Sequence, residues 1–306
     1  MLKRLALCML AATCCWTVAA AAVTTAVTTE PPRLLTAADL AQFDNPPADA
    51  RIPYGDGPLQ FGDLRLPPGP GPHPVAVFIH GGCWLAEYDI THSSKLTAAL
   101  ARHGIATWSL EYRRVGDDGG GWPGTFQDIG RGADHLRSIA GEYHLDLARV
   151  IAMGHSAGGH LALWLAARSH LPADSPIAAA DPLPVRGVLA LAPAADLEVL
   201  HEKKVCGDVI DKLMGGSPEQ VPDRYRWGGP MHLAPAGVPQ IVIIGAHDEA
   251  WGPSGLRYFR TAAERGDQIR KIDAPGSGHF EMIDPDSTTW PLVLGAARQL
   301  LGLGDE

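Results

Sequence analysis

Gly154-His155-Ser156-Ala157-Gly158 sets a serine between two glycines in a G-x-S-x-G pattern. An apolar strand-like run (149–154) leads into it, and a helical stretch (157–170) leaves it. Glycines on either side permit the positive φ and close backbone approach of a sharp strand-to-helix turn, which lifts the Ser156 hydroxyl clear of a sheet edge. An isolated serine hydroxyl is a weak nucleophile at neutral pH. The chemistry therefore requires a histidine to accept its proton and a carboxylate to orient that histidine.

Thirteen histidines and thirty-four acids compete for those two roles. Asp248 follows the strand-like run 241–245, and His279 follows the next one, 269–274, in the glycine-rich loop Gly276-Ser277-Gly278-His279. Both fall at C-terminal strand ends, where open α/β sheets gather their ligand sites, and the order Ser, Asp, His suits a nucleophile turn of this kind. Glu249 and Asp196 are the rival acids. His155, His160 and His247 are the rival bases, with His155 expected to point away and the other two to serve packing or surface roles. Acyl transfer also needs donors for a developing oxyanion. Ala157 supplies one N–H, and His80-Gly81-Gly82-Cys83-Trp84, closing the run 75–80, supplies others, with Gly82 and Cys83 as the expected donors. Trp84 either lines an acyl pocket or belongs to the core.

The elements that must hold these residues alternate. Strands are expected at 59–66, 75–80, 105–111, 149–154, 185–191, 241–245 and 269–274, with helices at 92–103, 125–143, 157–170, 255–266 and 290–301. Such alternation gives a mostly parallel sheet flanked by helices. Runs such as 75–79 and 241–244 lack polar alternation, as strands buried on both faces do. About fifty residues separate the runs at 185–191 and 241–245, more than a connection needs, so a cap insertion is expected at about 196–231.

The 306 residues, 46% of them hydrophobic, suffice for one large domain at 54–306. A net charge of −9 without any dense Lys/Arg run argues against a nucleic-acid partner. Lys3 and Arg4 precede an apolar, alanine-rich stretch, which reads as a signal peptide over 1–22, cleaved on export to the periplasm or outside, rather than as a retained membrane anchor. Residues 23–53 read as a surface lead-in. Three of the five cysteines lie in the leader, leaving Cys83 and Cys206, which an oxidising compartment allows to pair or to remain free thiols.

HGGCW at 80–84, EYRR at 111–114, GHSAGGHLAL at 154–163, the Asp248 segment and GHF at 278–280 together resemble the esterase/lipase and kynurenine-formamidase-like (BD-FAE-like) branch of the α/β-hydrolases. The resemblance spans about residues 54–301 and implies an α/β-hydrolase fold and a Ser-His-Asp triad. It also implies ester or amide substrates and no metal or organic cofactor. Cys83 fills the variable place of HGGxW, and the cap sequence does not carry the resemblance. The expected activity is carboxylic-ester hydrolysis on a small-molecule ester. A formamidase acting on N-formylkynurenine is the alternative enzyme, against which the leader peptide counts. A catalytically inactive binding module is the alternative from another class, against which the presence of every required group counts.

Overall fold

A computed structural model describes residues 33–304 of the protein. The expected signal peptide and the first part of the lead-in lie outside the described residues. Eight strands form one sheet: β1 (Ala50–Pro53), β2 (Phe61–Arg65), β3 (His73–Ile79), β4 (Ala106–Leu110), β5 (Leu145–His155), β6 (Gly187–Leu191), β7 (Gln240–Gly245) and β8 (Ile269–Ala274). Their order is β1-β2-β4-β3-β5-β6-β7-β8. β1 and β2 run antiparallel, as do β2 and β4, and every other pair is parallel. β1 falls inside the stretch read as a surface lead-in. Its four residues alternate in burial as a half-buried edge strand does, but a run this short that carries a proline is too brief to mark a strand in sequence, and all four pair with β2.

The central strands sort their side chains into two core layers by parity. Val75, Val77 and Ile79 of β3 enter one layer, and Ala76 and Phe78 enter the other. β5 repeats this, with Val150 and Ala152 opposite Ile151 and Met153. Both faces are therefore apolar, which is why these strands show no polar alternation. α5 (Ala157–Ala167) lies in the first layer with all eleven residues buried. α2 (Ser94–Arg102) and α11 (Trp290–Leu301) cover the second. α3 (Gly124–Asp134) and α4 (Leu136–Ile139) divide what reads in sequence as one helix, and α10 (Gly252–Glu264) joins β7 to β8.

Between β6 and β7 stand four short helices: α6 (Leu197–Glu202), α7 (Val209–Met214), α8 (Pro222–Gly228) and α9 (Pro230–Leu233). The Nε2–H of buried His160 donates to the Gly228 carbonyl at 2.9 Å, and Trp164 Nε1–H donates to the Trp227 carbonyl at 3.0 Å. Both donors sit on α5, so the insertion is hooked to the helix that follows Ser156. A disulfide joins Cys206 of the insertion to Cys83, with 6.1 Å between their Cα atoms. The Cys83 side chain is thus a cross-link and not a free thiol.

Closing a loop this long restrains the unfolded chain, so Cys206→Ser should lower stability by about 2–4 kcal/mol in denaturant melts. Mass spectrometry of an unreduced digest should find the Cys83 and Cys206 peptides linked. Recovery of both as free thiols would contradict the fold described.

Candidate active site

The parallel strands all point their C-terminal ends to one edge, and the loops leaving β3, β5, β7 and β8 meet there. Ser156, between β5 and α5, has φ 56° and ψ −118°, a backbone conformation that residues with a side chain rarely adopt. Three hydrogen bonds hold it: its N–H donates to the Leu191 carbonyl at 2.9 Å, and its carbonyl accepts from His160 at 3.1 Å and Ala194 at 3.0 Å. The flanking glycines have a steric reason. A Cβ on Gly158 would lie 2.0 Å from the Ile79 carbonyl oxygen, and one on Gly154 would lie 2.2 Å from the Gly158 carbonyl oxygen.

His279 Nδ1 lies 2.7 Å from Asp248 Oδ2, with both side chains buried. The other oxygen, Asp248 Oδ1, accepts from the Trp251 N–H at 3.1 Å. Trp251 also stacks its ring on the imidazole of His279, with centroids 4.0 Å apart and planes 26° from parallel. Phe280 meets the same imidazole edge-on at 5.0 Å. The rival acids stand elsewhere. Asp196 caps α6 by accepting from the Val199 N–H and pairs with Arg257 at 2.7 Å, while Glu249 is exposed. Trp84 is core: it is buried against His160 and does not reach the cavity beside Ser156.

His155 does not simply point away. Its Nε2 lies 2.9 Å from the His279 carbonyl oxygen, which can only accept, so that nitrogen carries the proton. Its Nδ1 must then accept, from His92 Nε2–H at 2.9 Å. The two rings brace the backbone of His279. His247 is exposed on the surface, and His160 packs inside α5.

The loop after β3 carries Gly82 at φ 106° and Cys83 at φ 50°. Among the described residues, neither the Gly82 nor the Cys83 N–H has a hydrogen-bond acceptor. The EYRR segment is what fixes this loop. Tyr112 Oη–H donates to the His80 carbonyl at 3.0 Å, Glu111 Oε1 lies 3.2 Å from His80 Nε2, and Glu111 Oε2 accepts from the Ile90 N–H at 3.0 Å. Arg114 pairs with Glu111 at 3.0 Å and donates to the Tyr88 carbonyl. Burial alone would raise the Glu111 carboxyl. His80, Arg114 and the Tyr112 N–H outweigh it and hold the group below its ordinary value.

Ser156, His279, Gly82 and Cys83 all line one cavity of about 120 Å³. Ala37 and Leu40 of α1 (Ala37–Leu40) line it as well, with Trp251 and Phe280. No residue of 196–231 lines it, so the expected cap reaches the site only through the Cys83 disulfide. The lead-in supplies the wall instead, a role hidden in sequence because 33–43 shows neither strand nor helix periodicity. Trp251 could have been singled out as the aromatic three residues beyond Asp248.

Residues 63–253, more than half of the chain, match the family model BD-FAE. The chain belongs to the BD-FAE family. Esterase LipC of Mycobacterium tuberculosis is 26% identical over 249 residues, which are 76% of this chain and 60% of that protein. A probable isoprenylcysteine alpha-carbonyl methylesterase of Arabidopsis thaliana is 33% identical over 121 residues, 39% of this chain and 25% of that protein. The chain thus spans 60% or less of the length of these two curated relatives. Esterase B from Lactobacillus rhamnosis superposes with a TM-score of 0.71 at 20% identity, over 87% of this BD-FAE chain and 90% of that one. A truncated carbohydrate esterase from gut microbiota gives 0.71 at 18%, over 84% and 99%. These likenesses show the α/β-hydrolase fold.

His155 and His160, together with His92, which burial first and then His80 and His279 lower to about 3, tie stability to pH. Burial first, then His279 and His92, hold His155 well below its ordinary value, and burial lowers His160 to about 4 despite its bond to Gly228. All three fold as neutral rings, whereas in the unfolded chain they take up protons near 6.5. Their contribution is therefore present above about pH 6.5 and lost as pH falls toward about 3. The urea midpoint should drop across that interval, and His160→Gln, which keeps a donor for Gly228, should flatten the drop. A pH-independent midpoint would contradict this.

Proposed function

We propose that this BD-FAE protein hydrolyses carboxylic esters through an acyl-enzyme on Ser156. The observation that carries the proposal is the shared cavity, lined by Ser156 on its positive-φ turn, by His279 held by Asp248, and by Gly82 and Cys83, whose N–H groups have no acceptor among the described residues. Because His279 Nδ1–H donates to a carboxylate, its Nε2 is left as the acceptor for the serine proton. Ser156 Oγ attacks the carbonyl carbon as its proton passes to His279. The N–H groups of Gly82, Cys83 and Ala157 receive the resulting oxyanion. Collapse breaks the bond to the alcohol, which leaves with the proton from His279, and water then repeats the sequence on the acyl-enzyme to release the acid.

Asp248 stabilises the imidazolium formed in both halves, and the Trp251 face adds cation–π attraction of roughly 0.5–2 kcal/mol. A cavity of about 120 Å³ accommodates short groups beside the serine. The relatives' names, esterases throughout, support the same reaction. The Cys83–Cys206 disulfide supports reading residues 1–22 as an export signal, because such cross-links persist in oxidising compartments.

Ser156→Ala should remove all measurable ester turnover and leave the melting midpoint in place, since one hydroxyl contributes little to packing. Residual activity above about a tenth of the starting value would overturn the assignment. Asp248→Asn should lower kcat by about 10⁴-fold through the wrong histidine tautomer. Asp196→Asn, which keeps an N-cap acceptor and loses only the ion pair with the exposed Arg257, should cost at most about 1 kcal/mol of stability and leave kcat within a few-fold. The reverse pattern would move the acid to Asp196.

A further inference from the structure

Part of the wall of the cavity that Ser156 lines is built by a segment outside the sheet. Residues 33–43 are held at one end by the loop that carries His279 and at the other by Lys95 of α2, which itself pairs with acids beyond that loop. At one end the Leu35 N–H donates to Glu281 Oε1 at 2.5 Å, while Glu281 Oε2 accepts from the Gly278 N–H at 2.7 Å. One carboxylate therefore bridges the segment and the residue before His279. Leu34 lies against Gly278, within 3.4 Å of where a Cβ would sit. At the other end Lys95 places its ammonium over the Phe43 ring, 4.4 Å from the centroid, and pairs with Asp284 at 2.6 Å and Asp286 at 2.7 Å. Between the pins a turn with the Thr36–Asp39 capping box presents Ala37 and Leu40 to the cavity.

We propose that residues 33–43 form a strap across the active site and that Leu40 on it sets the largest ester group the cavity admits, with Glu281 as the positioning residue that holds the strap to the His279 loop. The inference rests on the esterase reading and extends it to specificity. Leu40 is the branched side chain that the strap contributes to a space of about 120 Å³, so shortening or enlarging it changes the volume left for an ester group. Small volume changes in an apolar pocket discriminate neighbouring homologues by roughly 10–200-fold. Glu281 has two separate acceptor oxygens committed to two segments. Its loss would release Leu35 and leave the Gly278 N–H unpaired next to His279.

The test compares kcat/KM for two series on the full chain: p-nitrophenyl esters with acyl groups of two, four and six carbons, and acetates of alcohols with two, four and six carbons. Leu40→Ala should raise the six-to-two-carbon ratio at least tenfold in the series whose variable group enters the cavity. Leu40→Trp should lower it by a similar factor. Glu281→Ala should raise the ratio and also lower kcat on the two-carbon ester, and Glu281→Gln, which keeps one acceptor, should fall between. Ratios that ignore Leu40 in both series would overturn the strap while leaving esterase activity standing. A wild-type protein that turns over neither series would overturn the esterase reading itself.

Discussion

Serine can stand at the carboxyl edge of this sheet because backbone lies directly against backbone there, with no side chain between. Gly158 at the start of α5 packs on the last carbonyl of β3, and Gly245 at the end of β7 packs on the Gly278 carbonyl, each leaving about 2.0 Å for a Cβ that is not there. The first contact seats the turn that strains Ser156. The second draws the Asp248 and His279 loops within reach of each other. Every longer-range feature of the site depends on these two approaches, since a methyl group at either would separate loops that must share one small cavity.

Around that backbone nest, buried polar groups fix each loop separately. The carboxylate of Glu111 and the hydroxyl of Tyr112 hold the loop after β3. The His92–His155 pair holds the carbonyl of His279, and Glu281 holds the residue before it. Buried groups of this kind are costly unless fully paired, and the same low dielectric that makes them costly stiffens the loops once pairing is complete. The site therefore combines positive-φ backbone at Ser156 and Cys83 with loops anchored by paired buried groups, an arrangement that suits electrostatic stabilisation of an oxyanion.

The central strands and the serine turn were legible in sequence because their signals are local: apolar runs of strand length, and glycines at fixed offsets from Ser156. The Asp248–His279 pairing was legible from position alone, since both residues follow consecutive strands. β1 was not, because a four-residue antiparallel edge strand containing Pro53 exists only by virtue of its partner. The insertion at 196–231 was visible as excess length, but length says nothing of which wall it covers, and it is Leu40 of the lead-in, not the insertion, that lines the cavity. Cys83 and Cys206, 123 residues apart, could not be paired from spacing; only the folded chain brings their Cα atoms to 6.1 Å. Trp251 and Glu281 act through contacts that no periodicity encodes.

Covalent labelling tests the central claim most directly, that folding alone activates Ser156 within a cavity shared with the Asp248-held His279. The protein is incubated with a fluorophosphonate, digested, and the modified peptide sequenced by mass spectrometry, with Asp248→Asn treated in parallel. The account predicts a single adduct on Ser156, formed far more slowly in the Asp248→Asn protein. An adduct on another residue, or no adduct on folded protein, would contradict it.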